Sequence, residues 1–102
     1  MDINVFLDDQ RPCPSGYNLA KTAEQCCHLL NTCTVKDLSL DYNLGKNQPT
    51  GYAVVKYMIK QKIYPQRIII HSSSLSGRRK MASLLRKHKP SSVRIVIAPQ
   101  LR

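Results

Sequence analysis

Asp8 and Asp9 directly follow the apolar run Ile3-Asn4-Val5-Phe6-Leu7, and Asp41 ends the run from Val35 to Leu40. Carboxylates gathered at one sheet edge repel each other unless a cation or a shifted protonation relieves them. A set of oxygen donors suits a hard divalent ion, Mg2+ or Mn2+, which keeps several waters and takes one or two carboxylates. Asp8, Asp9 and Asp41 are therefore the expected metal ligands. A single aspartate after a strand is more often a turn former or a helix cap. Three at matching strand ends favour a metal or phosphate site.

A second constellation follows Arg67-Ile68-Ile69-Ile70. It reads His71-Ser72-Ser73-Ser74, then Leu75-Ser76-Gly77, then Arg78-Arg79-Lys80. Three cations in the first turn of a helix oppose its dipole, at about 0.3–1 kcal/mol each when exposed, a cost that an anion at that end offsets. Backbone N–H groups of a Ser/Gly-rich turn at a helix start already favour an anion. The expectation is a phosphate cradle made by Ser73, Ser74, Gly77, Arg78 and Arg79. His71 moves protons there, with Ser72 and Asp41 beside it as catalytic groups. Arg11 is a further phosphate ligand, since a guanidinium binds phosphate oxygens in pairs. The plainer alternative is a flexible turn before a solvated basic helix. Asn43, Gly45, Thr50 and Gly51 lie where a loop shapes the pocket, although Gly51 also suits plain turn chemistry.

These residues need elements to position them. The first, third and fourth apolar runs (the fourth is Val93-Arg94-Ile95-Val96-Ile97) are nearly continuous, the pattern of strands buried on both faces of a parallel sheet. Their polar ends recur at the spacing of βα units. Thr22 and Gln25 fit a capping box opening a helix through about Leu30. From Thr50, the residues Val54, Val55, Met58, Ile59 and Ile63 mark a second helix that Pro65 stops. From Ser76, the residues Met81, Leu84, Leu85 and His88 mark a third that ends before Pro90. Pro12, Pro14 and Gly16 argue against a helix after the first strand, and Tyr17–Lys21 is a candidate short strand. Alternating units of this kind predict a single domain, residues 1–102, built on a small doubly wound parallel sheet with right-handed crossovers. In such sheets ligands sit outside the carboxyl ends of the strands.

Sixteen lysines and arginines against six acids give a net charge of +10. All six acids lie at or before Asp41, whereas residues 52–102 carry twelve basic residues. That half favours a phosphate-containing small molecule, an RNA end or nucleic acid, or else is simply a solvated face. Tyr52, Tyr57 and Tyr64 are its only aromatics, too few for single-strand stacking. Cys13, Cys26, Cys27 and Cys33 do not have zinc spacing; one or two read as small core residues on a helix and the rest as incidental. No run approaches the roughly 18 apolar residues of a spanning helix, and the N-terminal residues do not read as a secretory leader. A soluble, cytoplasmic protein with no membrane partner is expected.

An acidic pair after strand one, an aspartate after strand three and a serine after strand four resemble the response-regulator receiver domain. The strings Leu7-Asp8-Asp9-Gln10-Arg11-Pro12, Leu38-Ser39-Leu40-Asp41-Tyr42-Asn43-Leu44-Gly45 with Thr50-Gly51-Tyr52, and Ile70-His71-Ser72-Ser73 with Gly77 and Met81 are closer to a divergent relative. That relative is the cyclic-phosphate-processing receiver-like family. The resemblance spans about residues 3 to 98. It implies a receiver/flavodoxin-like fold, truncated before the final helix. It further implies a metal-dependent phosphoesterase-like activity, or binding, toward cyclic phosphate esters of nucleotides or RNA. Two positions depart from the pattern. Ala98-Pro99 stands where a phosphorelay receiver has lysine before proline, and Ser74 stands where the relative has asparagine. A signalling or ligand-sensing module without the relay lysine and a basic nucleic-acid-binding protein are the alternatives.

Overall fold

The computed structural model describes residues 2–98. In chain order it contains β1 (Asp2–Leu7), β2 (Asn18–Ala20), α1 (Ala23–Thr32), β3 (Thr34–Leu40), α2 (Gly51–Gln61), β4 (Arg67–Ile70), α3 (Leu75–His88) and β5 (Arg94–Ile97). The strands form one parallel sheet in the order β2-β1-β3-β4-β5. This is the receiver-like α/β architecture, and α3 is the last helix among the described residues.

Strand order and handedness together decide where the helices lie. The crossovers β2–β3, β3–β4 and β4–β5 all travel the same way across the sheet. Right-handed connections of one direction place their helices on one face, and α1 packs on α2, which packs on α3. The step from β1 to β2 runs the opposite way, so its connection crosses the other face. There the chain is an irregular segment, because Pro12 and Pro14 break a helix and Gly16 takes φ 85°.

Burial follows the same division. Val5, Leu7, Leu38, Leu40, Ile68 and Ile70 are fully buried under the helices. The alternate row on the opposite face is Leu19, Phe6, Ser39, Ile69 and Val96, paired in register across the strands. Within it Phe6 and Ser39 are buried, whereas Leu19 and Val96 are exposed. Continuous apolar runs therefore do not mean equal burial on both faces: β1 and β3 lie beneath the β1–β2 segment, whereas β5 is an edge strand.

Local signals set the helix ends. Thr22 accepts the N–H of Gln25 as expected, and the Gln25 side chain reaches back one residue beyond the cap, accepting the N–H of Lys21. Thr50 caps α2 through the N–H of Tyr52. Ser74 caps α3 through the N–H of Gly77, and the helix begins at Leu75, one position before the expected start. His88 was expected on the apolar stripe of α3 but is exposed, because the helix ends at it and the last turn is basic. The four cysteines are free thiols, and Cys26 is buried on α1.

Gly51 is a contact glycine. Its N–H donates to the Tyr42 carbonyl at 2.8 Å, and a Cβ there would overlap the Asp41 carbonyl oxygen and lie 3.1 Å from Met81 Sδ. Gly51→Ala should therefore destabilise the chain by about 1–3 kcal/mol through overpacking, read as a lower urea midpoint with an unchanged m-value.

Candidate functional site

The register brings the site together. Leu7, Leu40, Ile70 and Ile97 lie side by side across β1, β3, β4 and β5. The ladder then runs one step further. Asp41 N–H donates to Leu7 O at 3.0 Å, His71 N–H to Leu40 O at 2.9 Å and Ala98 N–H to Ile70 O at 2.9 Å. Asp8, Asp41, His71 and Ala98 thus form a row at the carboxyl edge of the sheet. By alternation their side chains share the face of Phe6 and Ser39, beneath the β1–β2 segment.

Asp8 is the hub of this row. It is 1% exposed. Its Oδ1 accepts the backbone N–H groups of Gln10 and Arg11 at 2.9 and 3.0 Å. Its Oδ2 meets Arg11 Nη1 and His71 Nε2, both at 3.0 Å. Burial on its own would raise the pKa of this carboxyl. The bonds from Arg11, Gln10 and His71 outweigh that effect and hold it below the usual value.

Asp41 behaves in the opposite sense. Burial, and then the neighbouring Asp8 charge, push its pKa up, against hydrogen bonds that include the Tyr42 N–H at 2.8 Å. Arg11 Nη1 lies 3.5 Å from Asp41 Oδ2, so one guanidinium spans both carboxylates. Ala98 supplies no charge at the end of β5, and the cation that meets Asp41 is Arg11. Pro99 lies outside the described residues.

His71 is buried, and burial lowers its pKa despite the neighbouring Asp8 and Asp41. Both ring nitrogens are engaged, Nδ1 with Ser39 Oγ at 2.7 Å and Nε2 with Asp8. The ring stacks on Phe6, with centroids 4.7 Å apart and planes inclined by 4°. Ser39, which the sequence reading passed over, is the residue that orients this imidazole. A lone hydroxyl between Leu38 and Leu40 in an apolar strand was the available signal.

A cleft of about 420 Å³ opens above the row, lined by Asp9, Gln10, Arg11, Asp41, Asn43, Gly45 and Ser73. It is formed by the three loops that follow β1, β3 and β4. Asp8, Asp41 and His71 each offer a ligand atom, and these atoms lie within 4.8 Å of one another. Asp9, the third expected metal ligand, stands at the rim of the cleft outside that group.

The expected phosphate cradle divides. Ser73 lines the cleft, whereas Ser74 caps α3 and Ser72 is fully buried with its hydroxyl accepting the Ser74 N–H. Gly77 is buried against Tyr42, whose ring a Cβ there would overlap. Arg78 and Arg79 line a separate groove with Ile97 on the outer side of α3. Arg11 alone among the expected arginines faces the carboxylates.

No described helix is long and apolar enough to cross a membrane. No curated protein and no solved structure matches the chain. The model of the cyclic-phosphate processing receiver domain matches residues 3–87, and the chain belongs to that family.

Proposed function

We propose that the cleft binds a cyclic phosphate ester of a nucleotide or RNA end and opens it to a monoester with the help of a divalent ion. The observation that carries this reading is the convergence of Asp8, Asp41 and His71 within 4.8 Å under a cleft walled by Arg11. Family membership supports the class of ligand.

The donor set fits a metal. Asp8, Asp41 and His71 would hold it, and an imidazole among two carboxylates favours a transition ion such as Mn2+ over Mg2+. Ser39 supports that role, because a ligating histidine uses its second ring nitrogen on an oxygen partner. The ion would polarise a phosphoryl oxygen and lower the pKa of bound water. Because Asp8 Oδ2 is already shared by Arg11 and His71, the ion competes with the guanidinium for that carboxylate.

The chain's own groups do the rest. Arg11 and Ser73 grip the phosphate oxygens, while Gln10 and Asn43 present polar atoms around them. Asp41, through the carboxylate oxygen not engaged by the ion, would take the proton of the attacking water as the new P–O bond forms. The bond from phosphorus to one ribose oxygen breaks, and Asp41 returns the proton to that oxygen. His71, its Nδ1 held by Ser39, would turn Nε2 from Asp8 to the ion, and its buried ring carries no proton in the reaction.

Incubation with 2′,3′-cyclic AMP and Mn2+ is expected to yield the nucleoside monophosphate by chromatography, and excess EDTA to stop it. Equal turnover with and without EDTA removes the metal from the account. Absence of any monophosphate removes the reaction.

A further inference from the structure

α3 carries a surface groove apart from the cleft at the strand ends. A groove of about 410 Å³ runs between α3 and the edge strand β5. Ala82 and Ile97 line its apolar part, Leu75 stands at one end, and Arg78, Arg79 and Arg86 flank it. Leu75 is 52% and Ile97 40% exposed, and the two line the same groove. The lining residues fall in two stripes along the helix. Leu75 and Arg79 are four apart, as are Arg78, Ala82 and Arg86, so the groove follows three turns of α3.

The charge of this groove is unbalanced. The ion pairs among the described residues engage Arg11, Arg67 and His71, and none involves a cation of α3. Every acid in the chain lies at or before Asp41. The Nε of Arg78 is buried with no hydrogen-bond partner among the described residues, at a cost in free energy. The first turn of α3 also holds Arg78 against the helix dipole and no acid.

From these observations we infer that the groove is the seat of an acidic amphipathic helix from a partner protein. Its apolar edge would lie on Leu75, Ala82 and Ile97, and its carboxylates would pair with Arg78, Arg79 and Arg86. A groove that parallels a helix for three turns suits a helix better than an extended strand. Nucleic acid fits less well: its backbone would meet the arginines but has no use for two exposed aliphatic side chains, and no aromatic lines the groove for a base to stack on. The inference does not depend on the reaction proposed above.

The test uses the full chain and a fluorescent 18-residue peptide with leucines at helical i, i+4, i+7 and i+11 positions and glutamates beside them. A scrambled peptide of the same composition has no apolar stripe. The striped peptide is expected to bind at least tenfold more tightly than the scrambled one. Binding should fall at least tenfold in the Arg79→Glu/Arg86→Glu variant, and again in Leu75→Ser, whose exposed side chain leaves the fold intact. Circular dichroism melts confirm folding of each variant. Equal binding of both peptides overturns the proposal, because charge alone then accounts for it. Tighter binding of a single-stranded RNA than of the striped peptide, lost in the arginine variant and unchanged in Leu75→Ser, overturns it in favour of nucleic acid.

Discussion

Asp8→Asn is expected to destabilise the chain more than any other isosteric change at the strand ends, by about 3 kcal/mol, and to abolish turnover. Four donors converge on this buried carboxylate: two backbone N–H groups, the Arg11 guanidinium and His71. An asparagine oxygen still accepts the backbone pair. Its NH2 group, however, points donors at Arg11, and the guanidinium loses half of its bridge. Urea unfolding at neutral pH measures the loss. A shift under 1 kcal/mol would show that the hub is not a structural centre.

The same carboxylate sets the sign of the pH dependence. Because the folded-state pKa of Asp8 is depressed, its stabilisation is present above its unfolded value of 3.8 and is lost as pH falls through the folded value. His71 adds in the same direction. Its folded pKa lies below 6.5, so below pH 6.5 the unfolded chain gains a proton that the fold resists. Asp41 opposes both: its raised pKa favours the fold when protonated and costs stability as pH rises through that value. Asp8→Asn should therefore flatten the acid limb of the stability curve below the carboxylate range and leave the limb near pH 6 to His71.

Arg11→Ala is expected to separate the two tasks of the cleft. The guanidinium is the cation that Asp8 and Asp41 share, and under the proposed reading it also grips phosphate. Losing a charged hydrogen bond of about 1.5–3 kcal/mol raises KM for a cyclic nucleotide roughly tenfold or more. Mn2+ should instead bind more tightly, since its competitor for Asp8 is gone. Calorimetric titration with Mn2+ alone and steady-state kinetics read the two effects apart. If metal and substrate affinities both fall, Arg11 is a structural strut, and the competition drawn above is wrong.

Why the sequence disclosed some of this and hid the rest has physical causes. Strand ends were legible because Leu7-Asp8, Leu40-Asp41 and Ile70-His71 change from apolar to polar in one step, and parallel register then aligns them. The cap at Thr22 was local, hence readable, as was Arg11 near the carboxylates, whereas Ser74, read as a phosphate ligand, caps α3 instead. What was hidden depends on side-chain direction. Asp9 follows Asp8 by one residue and so points elsewhere, to the cleft rim. Arg78 and Arg79 share a helix start with Ser74, yet the rotation of α3 carries them to the outer groove. Ser39 acquires its role only because β4 sets His71 beside it, thirty-two residues along the chain.

Phosphorus NMR of 2′,3′-cyclic AMP after incubation with the protein and Mn2+, the ion removed by chelation before the spectrum is taken, and run beside Asp41→Asn, tests the central claim most directly. Asp41 lines the cleft, and the proposed reading gives it the proton of the attacking water. The account predicts that the cyclic diester signal converts to a monoester signal with the native chain. It predicts a rate at least a hundredfold lower with Asp41→Asn, a loss of about 2.7 kcal/mol in transition-state stabilisation. Conversion at the same rate in both samples, or in neither, would contradict it.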